Sequence, residues 1–225
     1  MISEVYNMDC MEYMKSIPDK FFELAIVDPP YGIGEDWKKR NKGASFKKTS
    51  YKNESIPPKD YFDQLFRVSQ DVIIWGYNYF TSILGSTNYL IIWDKQSNNN
   101  TVFKYSKAEI AYTTKKIPAN IISIPWDGYR MGKETGQKKI HPHQKPVDLY
   151  AWLLSNYAKP GDKIFDSHLG SGSSRIAAYK MGFDFYGTEI DKEYFDAQET
   201  RFREICLNET DTPKGRIKQL NLFEI

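Results

Sequence analysis

An α/β fold with a largely parallel sheet is predicted by three observations. Short apolar, β-rich runs alternate along the chain with segments whose apolar residues recur at helical spacing. Turns bearing glycine or proline follow several of these runs. The 225 residues, 40% of them hydrophobic, suffice for one compact domain with its own core.

The elements follow in order. Phe22–Val27 reads as a buried strand ending at Asp28. Tyr61, Phe62, Leu65, Phe66 and Val68 share one helical face, so Tyr61–Val68 is expected to be a helix. Val72–Trp75, Tyr89–Trp93 and Glu109–Thr113 read as strands. Val147–Tyr157 is an amphipathic helix that stops before Pro160-Gly161. Lys163–Phe165 is a short strand, Ser173–Met181 a helix ended by Gly182, Phe183–Gly187 a strand and Glu193–Cys206 a helix. Gly32–Lys59 and Thr114–Lys145 read as long loops, a length that usually carries function or disorder. The expected organisation is a domain over 1–210, with loops at 32–59 and 114–145, and a tail over 211–225.

Composition excludes several classes. No apolar run approaches bilayer length, so no membrane contact is expected. Met1-Ile2-Ser3-Glu4 lacks the apolar stretch of a secretory leader, and with only Cys10 and Cys206 the chain fits a reducing cytoplasm. No spacing joins His141, His143 and His168 as metal ligands, so no metal site is expected. Net charge is only +2, yet Lys38, Lys39, Arg40, Lys42, Lys47, Lys48 and Lys52 crowd one stretch, and Lys133, Lys138 and Lys139 form a second set. Such loops either meet phosphates locally or are merely solvated.

Parallel sheets bind ligands at the carboxyl ends of their strands, and three segments there carry candidate chemistry. Asp166-Ser167-His168-Leu169-Gly170-Ser171-Gly172-Ser173-Ser174 joins a strand to a helix. Its glycines allow a tight turn and close ligand approach, and the helix N-terminus offers free N–H groups. It is neither a P-loop nor G-x-G-x-x-G, and a plain strand–helix turn is the alternative. Glu189 follows the next strand, about twenty positions after the glycines, where an acidic side chain can accept both ribose hydroxyls of a nucleoside. Asp28-Pro29-Pro30-Tyr31-Gly32 follows the first strand: the prolines stiffen the turn and remove two donors, leaving carbonyls and a carboxylate beside an aromatic ring. Such an acceptor cluster suits a planar ligand bearing an amino group; a turn with a capping Asp is the alternative.

These residues resemble a family. Asp28-Pro29-Pro30-Tyr31 resembles the catalytic motif of amino-group DNA methyltransferases. His141-Pro142-His143-Gln144-Lys145-Pro146 is similar to the His-Pro-Thr-Gln-Lys-Pro element of one permuted class, and the 166–174 loop resembles its Asp-Pro-Phe-x-Gly-Ser-Gly-Thr-Thr. The catalytic motif comes first and the cofactor motif last, the order of the β class. The resemblance runs from Val5 to Phe202 and is weakest in the two long loops. Ser167 and His168 stand where the family has Pro and Phe, and His143 replaces Thr.

The resemblance implies a Rossmann-like methyltransferase fold with circularly permuted motif order and helices on both faces. Its sheet would have seven strands, six parallel and one antiparallel, with the strand near Val5-Tyr6 beyond the cofactor strands. It implies S-adenosyl-L-methionine as cofactor, held by Asp9, Asp28, His143, Gln144, Lys145, Asp166, His168, Gly170, Ser171, Gly172, Ser173 and Glu189, with Asp9 beside the adenine ring. It implies double-stranded DNA as substrate and Asp28, Pro29, Pro30 and Tyr31 as the catalytic set. Asp at the first motif position favours the adenine N6 amino group over cytosine N4. The expected mechanism is direct attack by a flipped-out base, whose N–H groups Asp28 and Pro29 accept while Tyr31 stacks on its ring. Trp37, Lys38, Lys39, Arg40, Lys42, Lys47 and Lys48 are the expected DNA contacts. The tail Gln219-Leu220-Asn221-Leu222-Phe223 resembles the peptide by which bacterial DNA-processing proteins dock on the sliding clamp; it either does so, tethered through Thr212–Gly215, or packs on its own domain. The alternatives are an amino-methyltransferase acting on cytosine N4 or RNA, and a catalytically silent DNA-binding module. Monomer and homodimer both remain open.

Overall fold

The computed structural model describes residues 1–33, 55–96, 106–126, 130–212 and 215–218. The main sheet contains β1 (Ser3–Tyr6), β2 (Phe22–Val27), β3 (Ser69–Trp75), β4 (Leu90–Asp94), β5 (Ala108–Thr113), β6 (Asn120–Ser123), β7 (Lys163–Asp166) and β8 (Asp184–Thr188). Their spatial order is β1-β8-β7-β2-β3-β5-β4-β6. All neighbours are parallel except β5, which runs antiparallel to β3 and β4. The first strand of the chain thus lies beyond the last strand of the sheet, as the permuted order requires.

Among the described residues the sheet has eight strands where seven were expected. The addition, β6, lies inside the expected loop 114–145 and pairs only with β4. Four residues with Ile121 facing outward give too short an apolar pattern to announce a strand; the backbone pairing with β4 makes it one.

Helices cover both faces. On one side α1 (Cys10–Lys15), α2 (Lys59–Val68) and α3 (Tyr77–Leu84) bring Met14, Phe62, Leu65 and Phe80 against Ala25, Val27, Val72, Ile74 and Phe165. On the other, α4 (Val147–Tyr157) and α5 (Ser173–Lys180) set Leu149, Leu153, Ala177 and Ala178 against Leu24, Ile26, Ile73, Trp75 and Ile164. Alternate residues of each central strand therefore serve opposite cores, which is why those strands read as continuous apolar runs.

Local chemistry sets the helix starts. Asp9 caps α1, accepting from Met11 N at 2.7 Å and Glu12 N at 3.3 Å, and Asp191 caps α6 (Lys192–Phe202) in the same manner. Left-handed glycines open two helices: Gly76 directly after β3 for α3, and Gly172 at the end of the loop after β7 for α5. The helix expected to reach Cys206 leaves α-geometry at Phe202 and continues as a π-helical turn over Arg203–Leu207. β9 (Glu209–Thr212) and β10 (Gly215–Lys218) pair antiparallel. Thr212 and Gly215, the ends of the expected tether, are paired across these strands, residues 213 and 214 lie outside the described residues, and the expected 210/211 boundary falls inside β9. The clamp-like segment 219–223 lies outside the described residues.

Candidate active site

The parallel register brings the sequence candidates to one edge. Leu24 lies opposite Ile164 and Ala25 opposite Phe165, so β2 and β7 end at one edge, where the Asp28 charge acts on both Asp166 and His168. On the next strand Asp166 lies opposite Gly187, so Glu189 emerges beside the glycine loop. Tyr6 of β1 lies opposite Thr188, and Asn7 Nδ2 donates to the Glu189 carbonyl at 2.8 Å, which places Asp9 at the same edge. Asp9 is exposed, with its carboxylate capping α1.

The glycine loop is held by its neighbours. Gly170 and Gly172 have φ of 51° and 70°, conformations that side-chain-bearing residues rarely adopt. Asp166 is buried; its carboxylate accepts from Ser174 Oγ at 2.6 Å and His168 N at 3.0 Å. Burial nevertheless pushes its carboxyl up to about 7, and the fields of Asp28 and Glu189 push the same way. Glu189 accepts from Gly170 N at 2.8 Å and Asp191 N at 2.9 Å, and burial raises its pKa also. His168 Nδ1 lies 2.8 Å from Ser167 Oγ, which is 2.7 Å from Tyr61 Oη. Burial pushes the imidazole down to about 4, so it is neutral near pH 7. Ser171 and Ser173 are buried and face each other at 3.1 Å.

Asp28 is engaged on both carboxylate oxygens. Oδ2 accepts from Lys145 Nζ at 2.5 Å, and Oδ1 accepts from the Tyr31 hydroxyl. Burial opposes the Lys145 charge, but Asp28 and Glu109 together outweigh it and raise the ammonium's pKa. The Tyr31 ring stacks on Tyr79 at 4.9 Å and lies against Gly76. Burial, with Asp28 beside it, pushes the Tyr31 phenol well up. Pro29 is buried and Pro30 half-buried in the same turn.

The 141–146 segment sits on the glycine loop. A Cβ on Gly170 would lie 3.5 Å from His141 Nδ1, so the imidazole covers that turn, and burial pushes it down to about 3. Gln144 is buried and donates to Glu134 Oε2 at 3.3 Å. Glu134 also accepts from Val147 N at 2.6 Å, at the start of α4, and from Arg201 Nη2 at 2.7 Å. Arg201 in turn donates to Ser171 O at 2.8 Å and Ser173 Oγ at 2.9 Å. His143 is largely buried, and burial lowers its pKa.

The expected catalytic and cofactor positions thus gather at one edge, while Trp37, Lys38, Lys39, Arg40, Lys42, Lys47 and Lys48 lie outside the described residues. Lys145, expected among the cofactor ligands, pairs with Asp28 and Glu109. Glu109, Lys95, Glu134, Arg201 and Tyr61 were not anticipated. One signal was available: Glu109 is an acidic residue inside the strand-like run 108–113, where an unpaired charge would be costly.

The donor set suits S-adenosyl-L-methionine. Asp28, Asp166 and Glu189 reinforce one another's field, which favours a ligand carrying sulfonium and ammonium charges, and the glycine turn admits close approach of its amino-acid part. A permuted Rossmann-like sheet with an acceptor turn beside a glycine loop is the architecture of a nucleoside-cofactor binding site. Known proteins agree. A family model described as DNA methylase, covering N6- and N4-directed enzymes, matches residues 49–200. The Type II methyltransferase M.HinfI of Haemophilus influenzae is 24% identical, over 93% of this chain and 71% of its own. M1.MboII of Moraxella bovis, another Type II methyltransferase, is 22% identical over 86% of this chain and 94% of its own. Among solved structures, the M1.HpyAVI–SAM complex superposes with a TM-score of 0.60 at 19% identity, covering 89% of this chain and all (100%) of that one. The cytosine-N4-specific PvuII DNA methyltransferase gives 0.62 at 17% identity, covering 90% and 86%. The chain belongs to the DNA methylase family of amino-group, N6- or N4-directed methyltransferases, with S-adenosyl-L-methionine as methyl donor.

Proposed function

We propose that the protein methylates the N6 amino group of adenine in double-stranded DNA. The reading rests on Asp28, which follows β2 at the edge where the neighbouring β7 gives way to the glycine loop and whose charge acts on Asp166 and His168 there. Asp at the head of Asp28-Pro29-Pro30-Tyr31 favours adenine over cytosine within the family resembled.

The adenine amino lone pair is delocalised into the ring, so the nitrogen is a poor nucleophile until it pyramidalises. S-adenosyl-L-methionine, when bound, supplies an electrophilic methyl on sulfur. The chain's own contribution is to stabilise the positive charge that grows on N6. The Asp28 carboxylate and the Pro29 carbonyl accept its two N–H groups, bonds that strengthen as the charge develops. Each carboxylate oxygen has a second lone pair, so the contacts to Lys145 and Tyr31 leave room for this. The surplus N6 proton leaves by the same carboxylate to solvent. Stacking of the base on Tyr31 requires the ring to exchange its contact with Tyr79 or Gly76 for the base. Asp166, Glu189, Asp9 and the 170–173 turn hold the cofactor, and His168 lines the transfer cavity.

Because the amino group is paired inside a duplex, the base must flip out at a cost of about a few kcal/mol. The basic stretch carrying Trp37, Lys38, Lys39, Arg40, Lys42, Lys47 and Lys48 supplies phosphate contacts for this, and segment 219–223 docks on a sliding clamp. The protein acts in the cytoplasm alongside a restriction system.

Digesting treated DNA to nucleosides should yield N6-methyladenine; N4-methylcytosine alone would overturn the base assignment. Asp28→Ala should lose roughly 10²–10³-fold in rate, and near-normal methylation by that variant would remove Asp28 from the chemistry.

A further inference from the structure

We propose that Glu109, braced by Lys95, is a positioning residue for methyl transfer: it holds the Lys145 ammonium against Asp28 and thereby fixes the carboxylate toward the target amino group. The inference rests on the assignment of Asp28 to that amino group.

The four side chains form a row of alternating charge. Lys145 Nζ lies 2.5 Å from Asp28 Oδ2 and 3.0 Å from Glu109 Oε2, and Glu109 Oε1 is paired with Lys95. The Lys145 side chain is 4% exposed, so bulk water does little to screen or satisfy it. The Lys145 ammonium donates to Asp28 Oδ2 and to the Tyr31 hydroxyl at 3.3 Å, and the Glu109 carboxylate faces it as an ion-pair partner. Held between two carboxylates, the ammonium has a preferred position, and it passes that position to Asp28.

One carboxylate would suffice to neutralise one lysine. A second buried carboxylate carries a desolvation cost of several kcal/mol, offset here because Lys95 supplies a fourth charge. Both additions come from the antiparallel pair β4–β5, where Trp93 faces Glu109 and Asp94 faces Ala108, far in sequence from the 28–31 turn. Without Glu109 the row keeps two positive charges and one negative, so positive charge growing on the target nitrogen would meet a net repulsion. It would also leave Lys145 with one fewer anchor. At saturating cofactor both effects are read in the methyl-transfer step.

The test is single-turnover methylation of duplex DNA at saturating cofactor. Glu109→Gln should be about tenfold to hundredfold slower, as expected for misplacement of a reacting group, with the loss persisting at saturating cofactor and the conservative Glu109→Asp recovering part of the rate. Lys145→Met should also be slow, and the Glu109→Gln/Lys145→Met double variant no slower than Lys145→Met alone. A wild-type rate in Glu109→Gln, or losses that multiply in the double variant, overturns the inference. If thermal melting shows Glu109→Gln unfolded, Lys95→Met is read by the same two criteria. Failure of the underlying reading looks different: Asp28→Ala then remains active. A wild-type rate in Glu109→Gln beside an inactive Asp28→Ala removes the inference alone.

Discussion

Gly76 couples the scaffold to the acceptor turn, and Gly76→Ala should damage both by separable amounts. The residue has φ of 80°, where an alanine costs about 1–2 kcal/mol relative to glycine. A Cβ there would also lie 2.6 Å from Cδ1 and 2.7 Å from Cζ of Tyr31, with Cε1 nearer still. Carbon atoms prefer separations of about 3.5–4.0 Å, so the ring must retreat by roughly 1 Å. Retreat weakens the stack on Tyr79 and the hydroxyl's bond to Asp28. Those contacts are worth about 1–3 kcal/mol together for a partly exposed ring. Thermal unfolding of Gly76→Ala alone and in a Tyr31→Ala background separates the two contributions. The φ cost should persist in both, and the ring-dependent part should vanish when the ring is absent; each kcal/mol moves the midpoint by roughly 2–4 °C in a domain of this size. Equal destabilisation in both backgrounds would show that the glycine does not serve the Tyr31 contact.

Two further outcomes follow from the buried charges. Asp166 has its carboxyl raised from 3.8 to about 7, so its contribution to stability is full below the lower value and lost as pH rises through the upper one. A cationic cofactor favours the ionised form, so calorimetric affinity for S-adenosyl-L-methionine should strengthen from about pH 6 to about pH 8. Asp166→Asn should abolish that slope; a slope retained in the variant would assign the effect to another group. Arg201 and Glu134 pair at 2.7 Å with side chains 8% and 10% exposed. Arg201→Met should cost about 3–5 kcal/mol, because it strands a buried carboxylate. It should also weaken cofactor binding through Ser171 and Ser173, so unchanged chemical denaturation and affinity would contradict the bridge.

Much of the sheet was legible because each central strand is apolar on both faces. Val72–Trp75, Lys163–Phe165 and Phe22–Val27 stand out for that reason, and they are the strands that flank the site. α1 went unread although Asp9 and Glu12 have capping-box spacing, since six residues show little periodicity. α3 was hidden by tyrosine, phenylalanine and isoleucine in an eight-residue helix that resembles a strand in composition. β6 escaped because edge pairing, rather than side-chain pattern, makes it a strand. In the site, Asp28, the glycine turn and Glu189 were visible because turn chemistry is local. Glu109, Lys95, Arg201 and Glu134 were not, because their partners are distant in sequence.

The sequence by itself determined the alternation of strands and helices, the rigid acceptor turn and the left-handed glycines, since each depends on neighbouring φ and ψ preferences or on residue period. Tertiary structure alone decided that the Asp28 charge reaches Asp166 and His168, that Lys145 pairs with Asp28, and that Glu109 and Lys95 complete its charge row. Coulomb interactions and desolvation depend on distances through space, and those are set only when the strands pair.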